Sequence, residues 1–527
     1  MTDSSRKYIL AIDLGTSGPK TALVSCRGEV VDFAFEKNRL QLLPDGGAEQ
    51  DPEEWWTTIS NTAKMVIGRN LVPVDDIVGV SCSTQWSGTV AVGKNGLHLC
   101  NALIWLDSRG SRYIRDIAGG WPRIDGYGLG KLIRWLRLTG GIPGQSGKDP
   151  IAHILYLKDC RPEIYRDTFC FLEPKDYINL RLTGKFAASF DSITLHWVTD
   201  NRRIDHIAYD DRLIRMTGID REKLPELKRA VDILGPIKNE VADAWGIRRG
   251  TPVICGTPDV QAAAIGSGAV ADFASHFYIG TSSWLTCHVP FKKTDVLRGI
   301  ASLPSAIPGR YFVANEQETA GACLTYLRDN LFCQVDELHA GDIPDVYGCF
   351  DRMAARVPPG SRGVMFTPWL YGERTPIDDH TVRAGFYNQS LNTTREDLVR
   401  AVFEGVALNG RWLLSCVEGF VGRTLDPIRL IGGGAVSEVW CQIFADVFNR
   451  TVHQVDAPIL ANVRGAGLLG ALALGRITVP EIADAVAVRN AYSPDPTHRK
   501  LYDDRFRIFK QIYRRNKKIY RALNSHS

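Results

Sequence analysis

Residues 8–20 read YILAIDLGTSGPK, an apolar run that ends in an acid and passes into a turn of small and hydroxylated residues. A second apolar run covers residues 21–25, and a third covers Val30–Phe35 after the turn Arg27-Gly28. Short apolar runs separated by Gly-containing turns predict antiparallel strands. The segment therefore predicts a three-stranded meander whose first turn is polar.

The same device returns in the second half of the chain. Residues 277–283 read FYIGTSS, so that IGTS at 279–282 matches LGTS at 14–17 at about half the chain length. A repeat at this spacing indicates a duplicated domain. A chain of 527 residues also exceeds one compact core. We therefore expect two domains, residues 1–260 and 261–527.

Composition narrows the class of protein. Hydrophobic residues make up 44% and charged residues 23%, and the formal net charge is only +4. These values are typical of a globular enzyme and give no support to nucleic-acid binding. The twelve cysteines form no CxxC pair and no cluster with zinc-ligand spacing, so we expect free thiols in a reducing cytosol. No run reaches the roughly 18 apolar residues of a membrane span, and no signal peptide is expected before the first strand, so we predict a cytoplasmic protein.

The first polar turn carries groups suited to phosphate. Small residues at 15–18 let backbone N–H groups approach phosphate oxygens, with Thr16, Ser17 and Lys20 as further donors. Asp13, at the end of the preceding strand, could hold Mg²⁺ through water. The alternative is a plain hairpin turn that Asp13 merely caps.

The second turn, Gly280-Thr281, would grip a polyphosphate from the other side. Neither turn is a Walker A loop, because the sequence contains no GxxxxGK[ST]. Gly432-Gly433-Gly434 follows the strand Ile428–Ile431 and would let a flat ligand such as adenine approach the backbone. The alternative is an ordinary strand-to-helix turn.

Asp259 lies between a buried strand at residues 253–255 and a predicted helix at residues 260–267. An N-cap role is one interpretation. The other is a general base that accepts a proton, and the two are compatible because a capped carboxylate is held rigidly.

Read in order, these segments resemble the FGGY family of carbohydrate kinases, which includes glycerol kinase and xylulokinase. The resemblance covers nearly the whole chain. It is carried by AIDLGTS (11–17) with Lys20, WLDSR (105–109), PEIY (162–165), LTG (182–184), GTPD (256–259), YIGTS (278–282), GERTP (372–376) and GGGA (432–435) with Trp440, Gln442 and Asp446.

The resemblance implies two ribonuclease-H-like (actin-like) α/β domains with the active site in the cleft between them. It implies Mg-ATP-dependent phosphorylation of a hydroxyl of a small, pentulose-type sugar or polyol, with Asp259 as base and Asp13 organising Mg²⁺. The implied nucleotide contacts are Thr16, Ser17, Lys20, Gly280, Thr281, Gly321, Thr325, Gly433 and Gly434. The implied acceptor contacts are Gln85, Trp86, Ser87, Asp107, Arg109 and Asp259.

A rival interpretation is a sugar or nucleotide sensor that keeps the fold without turnover. Retention of both Asp13 and Asp259 argues against it. The sequence of the sugar-binding loop at residues 85–88, the sugar loop, departs from the family pattern and argues for it. Xylulokinases usually carry QMHG where this chain carries QWSG at residues 85–88, and Val260 replaces a common Asn or Gln. His153 stands where Lys is frequent. We expect a flatter, less polar pocket that uses D-xylulose poorly, unless Gln85 or His153 supplies the lost hydrogen bonds.

A final helical pattern covers residues 500–523. Aromatic residues follow one face and Arg and Lys the other. We expect the aromatic face to pack on the second domain; a basic membrane-surface helix is the alternative. The expected partners are a small sugar or polyol, with no nucleic acid and no membrane, and a homodimer is left open.

Overall fold

The computed structural model describes residues 7–333 and 345–524, and two mixed β-sheets dominate them. The first sheet has the order β5-β6-β4-β1-β2-β3. Its strands are β1 Tyr8–Gly15, β2 Gly18–Ser25, β3 Val30–Phe35, β4 Ile77–Thr84, β5 Ile233–Pro236 and β6 Pro252–Pro258.

The second sheet has the order β9-β10-β11-β8-β7-β12-β13-β14. Its strands are β7 Ser275–Ile279, β8 Ser283–Val289, β9 Thr294–Asp295, β10 Ile300–Pro304, β11 Tyr311–Ala314, β12 Ile428–Ile431, β13 Val452–Val455 and β14 Val488–Tyr492. Smaller sheets lie outside these two. One has three strands, Gln41–Leu42, Ala48–Gln50 and Ala102–Leu103. The others are two-stranded and pair Val90–Val92 with Cys170–Leu172, Arg123–Ile124 with Tyr127–Gly128, Ala187–Ser189 with Glu226–Lys228, Thr199–Asp200 with Ala208–Tyr209, and Met365–Thr367 with Gly385–Tyr387.

The two sheets share one topology. Hairpin β1–β2 corresponds to hairpin β7–β8, and each first strand pairs in parallel on its other side, β1 with β4 and β7 with β12. A second parallel strand follows, β6 or β13, and an antiparallel strand closes the edge, β5 or β14. The duplicated device predicted from the two Gly-Thr-Ser turns is confirmed.

Helices cover both sheets. Within the described ranges they are α1 Pro52–Gly68, α2 Ser111–Ala118, α3 Leu129–Leu138, α4 Pro150–Cys160, α5 Pro162–Asp167, α6 Pro174–Thr183, α7 Phe190–Ile193, α8 Asp211–Thr217, α9 Asn239–Trp245, α10 Asp259–Gly266, α11 Ala322–Tyr326, α12 Val346–Arg356, α13 Arg395–Val421, α14 Glu438–Phe448, α15 Ala461–Ala473, α16 Val479–Ala485 and α17 Arg499–Asn524. Asp51 caps α1 by accepting a hydrogen bond from the Glu53 N–H at 2.8 Å.

Helices α10 and α15 pack against each other through small residues. A Cβ on Gly266 would lie 1.7 Å from the Ala461 carbonyl oxygen, and one on Gly465 would lie 1.8 Å from that of Ala262. Helix α15 also lies on the first sheet, because Gly467 leaves no room for a Cβ beside Val24. A helix from the second half thus completes the first half's core, and the division at residue 260 stays a prediction.

The C-terminal helix packs as predicted. Tyr502, Phe506, Phe509 and Tyr520 of α17 are buried in the core of the second half. Among the described residues, we find no helix with the length and apolar character that crossing a membrane requires.

Candidate active site

The first group of site residues lies where parallel strands end. Asp13 of β1 and Thr257 of β6 both pair with Ser83 of the central strand β4. Because the carboxyl ends of parallel strands meet at one edge of a sheet, Asp259 follows at that same edge. It is the first residue of α10, with Pro258 rather than Asp259 in the N-cap position. The helix therefore begins one residue earlier than predicted.

A bulge in β6 sets the path into Asp259. Gly256 has φ +74°, and a Cβ there would lie 2.1 Å from the Cys82 carbonyl oxygen, so only glycine fits. The neighbouring Cys255 carbonyl leaves the strand ladder at this register shift. It instead accepts hydrogen bonds from Lys175 Nζ at 2.9 Å and Asn179 Nδ2 at 2.7 Å.

The bulge belongs to a buried polar network. Thr257 Oγ1 donates a hydrogen bond to Asp191, and Lys175 forms an ion pair with Asp176. Asp176 also accepts from Ser192 Oγ at 2.7 Å. The Ser192 carbonyl in turn accepts from the indole N–H of Trp86 at 3.0 Å. The sugar loop and the segment leading to Asp259 are thus joined through one network.

Two carboxyl groups at this edge have raised pKa values. Burial raises the pKa of Asp13 to about 6, and Lys20 and the Ser83 hydroxyl offset part of that rise. Burial raises the pKa of Asp259 to about 8, with further contributions from Asp13 and Glu316. Carboxyls that are shielded from water and repel each other have raised pKa values for these reasons.

Asp13 also meets the requirement of a cation ligand. Its Oδ1 atom is buried and has no hydrogen-bond partner among the described residues. In that part of the chain no cluster of three or more His, Cys, Asp or Glu could hold a metal ion unaided. Mg²⁺ needs no such cluster, because it keeps several waters and uses one or two carboxylates together with substrate phosphates. The residues present therefore fit a water-rich Mg²⁺ site.

Thr16 joins the first turn to the sugar loop. Its hydroxyl accepts from Trp105 Nε1 at 2.9 Å and donates to Gln85 Oε1 at 3.0 Å. Gln50 bridges the same groups, donating to the Thr16 carbonyl at 2.8 Å and accepting from Gln85 Nε2 at 2.7 Å. Ser17 is exposed. The first turn therefore offers Ser17 and its backbone to a ligand, whereas the Thr16 hydroxyl is already bonded within the fold.

The remaining residues of the sugar loop are also bonded internally. Ser87 has φ +66° and its Oγ donates to the Lys148 carbonyl at 2.8 Å. The Trp86 ring lies 6.1 Å from the Phe312 ring of the other sheet. His153 has both ring nitrogens within 3.2 Å of fold groups, and burial lowers its pKa to about 4. Gln85 and His153, the side chains named as the alternative source of the lost hydrogen bonds, thus already bond to the fold.

Asp107 and Arg109 contact each other. Arg109 donates to both oxygens of Asp107, and its Nη2 lies 2.6 Å from Glu49 Oε1. Tyr156 covers the guanidinium, with the ring centroid 4.6 Å away. The charges of Asp107 and Arg109 are therefore neutralised by neighbouring residues of the protein. Contact of Asp107 and Arg109 with a substrate stays a prediction.

Predicted nucleotide contacts of the second half surround the end of β7. A Cβ on Gly321 would lie 2.6 Å from the Gly280 carbonyl oxygen, and one on Gly434 would lie 2.4 Å from the Ile279 side chain. Gly433 faces open space. Thr281 is exposed, and no described residue bonds its hydroxyl.

Thr325 lies a turn further along. Its backbone N–H donates to the Gly321 carbonyl at 3.2 Å, and its hydroxyl lies 3.3 Å from that of Tyr347.

Charged and polar groups of the two halves act on one another electrostatically. Burial raises the pKa of Tyr278 on β7, and the carboxyls of Asp259 and Asp13 raise it further. Glu316, which follows β11 in the second half, acts on the Asp259 carboxyl. Groups next to both polar turns therefore lie near one another, and a single site formed by the two turns stays a prediction.

Sequence reasoning missed an acidic and basic cluster on the second half's side. Arg374 pairs with Glu316 and with Glu318, whose carboxylate lies 2.9 Å away. Glu373 is fully buried and accepts from the backbone N–H groups of Glu318 and Arg374. The GERTP string was the available signal for Glu373 and Arg374. The two glutamates stand in the NEQE stretch after β11, which carries no motif.

Models of the N-terminal and C-terminal domains of the FGGY family of carbohydrate kinases match residues 8–266 and 277–474. The chain belongs to this family. It is therefore a carbohydrate kinase, a phosphotransferase with the two-domain actin-like fold that the sequence predicted.

Individual FGGY relatives are similar over nearly their full length. A xylulose kinase of Staphylococcus epidermidis is 27% identical, covering 98% of both chains. A gluconokinase of Bacillus subtilis is 26% identical, covering 96% of both. A solved gluconate kinase of Lactobacillus acidophilus superposes with a TM-score of 0.84 at 23% identity, covering 98% of this chain and 99% of that one.

Proposed function

We propose that this chain transfers the γ-phosphoryl group of ATP to a hydroxyl of a small sugar or polyol, with Asp259 as the general base. The observation that carries the proposal is the position of Asp259. It lies at the edge where β1, β4 and β6 end, and burial and Asp13 raise its pKa to about 8. A base whose pKa lies near the operating pH is the most efficient proton acceptor.

One oxygen of Asp259 already has a partner. Its Oδ1 accepts from the Val260 N–H at 2.8 Å, which fixes the carboxyl at the start of α10. The other oxygen is left to take the proton of the acceptor hydroxyl as that hydroxyl's oxygen attacks the γ-phosphorus. The bond from that phosphorus to the oxygen bridging to the β-phosphate breaks, and ADP leaves. Positioning and electrostatic stabilisation supply most of the catalysis in such a transfer, because little covalent chemistry is left for the protein to do.

The nucleotide is proposed to lie between the two polar turns. Ser17, Lys20 and the backbone of residues 15–18 would contact phosphate on one side, and Gly280 with the Thr281 hydroxyl on the other. Gly321 and Thr325 stand beside that second turn. Gly433 and Gly434 would lie against the adenosine, since Gly433 faces open space. Mg²⁺, when bound at Asp13, would neutralise phosphate charge.

The acceptor is the less constrained ligand. Gln85, Trp86 and Ser87 belong to the sugar loop. Their side chains already hydrogen-bond to other residues of the protein, so these groups are not free to bind a ligand. Val260 and Trp86 both pack in the apolar cluster that contains Phe312. We therefore expect an acceptor held partly by an apolar wall, with D-xylulose a poor substrate. A cytoplasmic location and a homodimer stay predictions.

An acceptor panel tests the proposal. Purified protein is supplied with Mg-ATP and with ketoses, aldonates and polyols in turn, and ADP release is measured against an acceptor-free blank. We expect one or more acceptors to raise ADP release well above the blank rate. Release at the blank rate for every acceptor would contradict the activity. D-xylulose as the clear best acceptor would overturn only the acceptor prediction.

A further inference from the structure

Lys148 is a half-buried cation beside the sugar loop. Among residues 7–333 and 345–524, no acceptor lies within hydrogen-bond distance of its ammonium and no carboxylate within ion-pair distance. Its neighbours differ in this respect. The hydroxyl of Ser87 and the indole N–H of Trp86 both donate to backbone carbonyls. Within the described ranges, the ammonium N–H groups of Lys148 thus have no protein acceptor, unlike the side-chain donors of Trp86 and Ser87.

The backbone around Lys148 is fixed on both sides. The Lys148 carbonyl accepts from Ser87 Oγ at 2.8 Å. The Asp149 carboxylate accepts from the Gly144 N–H at 2.6 Å and from Trp197 Nε1 at 2.8 Å. Gly147 has φ +74°, and a Cβ there would lie 2.1 Å from the Ser111 nitrogen. Because this backbone is already fixed, binding at Lys148 does not have to order the loop, which reduces the entropy lost on binding.

The electrostatic surroundings favour a ligand. Burial lowers the pKa of Lys148, while Glu318 and Glu316 act in the opposite direction and Arg374 adds to the lowering. Both glutamates already pair with Arg374, and neither forms an ion pair with a described lysine. Glu316 also acts on Asp259, so this cluster lies near the proposed base. A half-buried ammonium without a partner gains most from a ligand oxygen.

We propose that Lys148 binds an oxygen of the acceptor and is a specificity-determining residue of this kinase. The ligand chemistry is a hydrogen-bond-accepting oxygen, either a hydroxyl of a ketose or polyol or the carboxylate of an aldonate. The inference rests on the proposed phosphorylation of a small sugar or polyol.

Two substitutions distinguish the two oxygen types. Lys148→Met removes all donors, and Lys148→Gln keeps a neutral donor. We expect K148M to weaken binding of the best acceptor of the panel about 10- to 100-fold, the effect of losing a charged hydrogen bond. A hydroxyl ligand leaves K148Q between K148M and the wild type. A carboxylate ligand makes K148Q as weak as K148M, because charge is the larger part of that contact.

The measurement is acceptor binding by calorimetry without ATP, with D-xylulose and D-gluconate as neutral and charged probes beside the best acceptor. The ATP affinity of each variant verifies folding. Lys158→Met is the matched control: Lys158 is partly exposed, donates to the Gly218 carbonyl at 2.6 Å, and should leave binding unchanged. Acceptor affinity equal in K148M and wild type would overturn the inference. Binding that K148M weakens, but without phosphorylation by wild type, would overturn the proposed function and keep the role of Lys148.

Discussion

Asp13 and Thr257 pair with the same residue, Ser83, from opposite sides of strand β4. This register sets Asp13 at the strand edge where Asp259 follows two residues after Thr257. Both carboxyls are shielded from water there, and that arrangement raises both pKa values. The site therefore holds two acids at a cost in stability, and the cost is measurable.

Asp259→Asn should raise the melting temperature of the ligand-free protein. The folded pKa of about 8 exceeds the usual 3.8, so folding favours the protonated acid. The contribution of protonated Asp259 to the free energy of unfolding is complete below about pH 4 and is lost as the pH rises through 8. The gain in D259N over wild type should therefore be larger at pH 8 than at pH 5 in thermal unfolding.

Asp13→Asn is the matched control for that experiment. The folded pKa of Asp13 is about 6, so its gain should stop growing near pH 6 to 7. Identical melting temperatures for D259N and wild type between pH 5 and 8 would show that Asp259 is not perturbed.

The two threonines of the polar turns should behave differently. No described residue bonds the Thr281 hydroxyl, so Thr281→Val should raise KM for ATP several-fold and leave KM for the acceptor unchanged. The Thr16 hydroxyl bonds to Gln85 and Trp105, so Thr16→Val should also raise KM for the acceptor. Steady-state kinetics with each substrate varied in turn measures both. Equal effects of the two variants on both substrates would refute this division.

Thr257 should position Asp259. Its hydroxyl bonds to the buried Asp191, and Thr257→Val would leave that carboxyl without this donor. We expect kcat to fall about 10- to 100-fold with both KM values retained, and the apparent pKa of kcat to shift. Thr257→Ser keeps the hydroxyl and should restore both kcat and the pH profile. A Ser variant as impaired as the Val variant would assign the loss to packing.

Much of the fold followed from local sequence. The strand β3 has the predicted bounds, and α1 begins directly after its Asp51 cap, because turn and capping signals act over a few residues. The strands β1 and β2 extend to Gly15 and from Gly18, further than the apolar runs indicated. Leu14 and Gly15 pair with Pro19 and Gly18, so the hairpin extends both strands into the turn. Strand β4 pairs with β1 as far as Leu14, and a single sequence does not display that partner.

The site was predictable in its residues but not in their bonds. Thr16 bonds to partners 69 and 89 positions away, so local sequence could not show that its hydroxyl already has partners. Asp107 and Arg109 resembled acceptor contacts, whereas their nearest charges are each other and Glu49. Lys148 carried no motif at all. Its significance depends on the acceptors it lacks among the described residues, which only the folded chain reveals.

Helices α10 and α15 should tolerate no side chain at their crossing. In Gly266→Ala the new Cβ would lie 1.7 Å from a backbone oxygen, so the helices must separate. We expect a loss of about 1 to 3 kcal/mol in the free energy of unfolding. Gly419 is exposed in the last turn of α13, so Gly419→Ala meets nothing within 4 Å and should be neutral or stabilising. Denaturant unfolding compares the two, and equal stabilities would contradict the packing.

The turnover of D259N tests most directly whether Asp259 is the base that takes the proton of the acceptor hydroxyl. With Mg-ATP and the best acceptor of the panel, we expect the kcat of D259N to be roughly 10²- to 10⁴-fold lower than that of the wild type, because a general base usually contributes a factor of that size. ATP affinity should change little, because the polar turns remain intact. Near-normal kcat in the purified variant would mean that another group takes the proton.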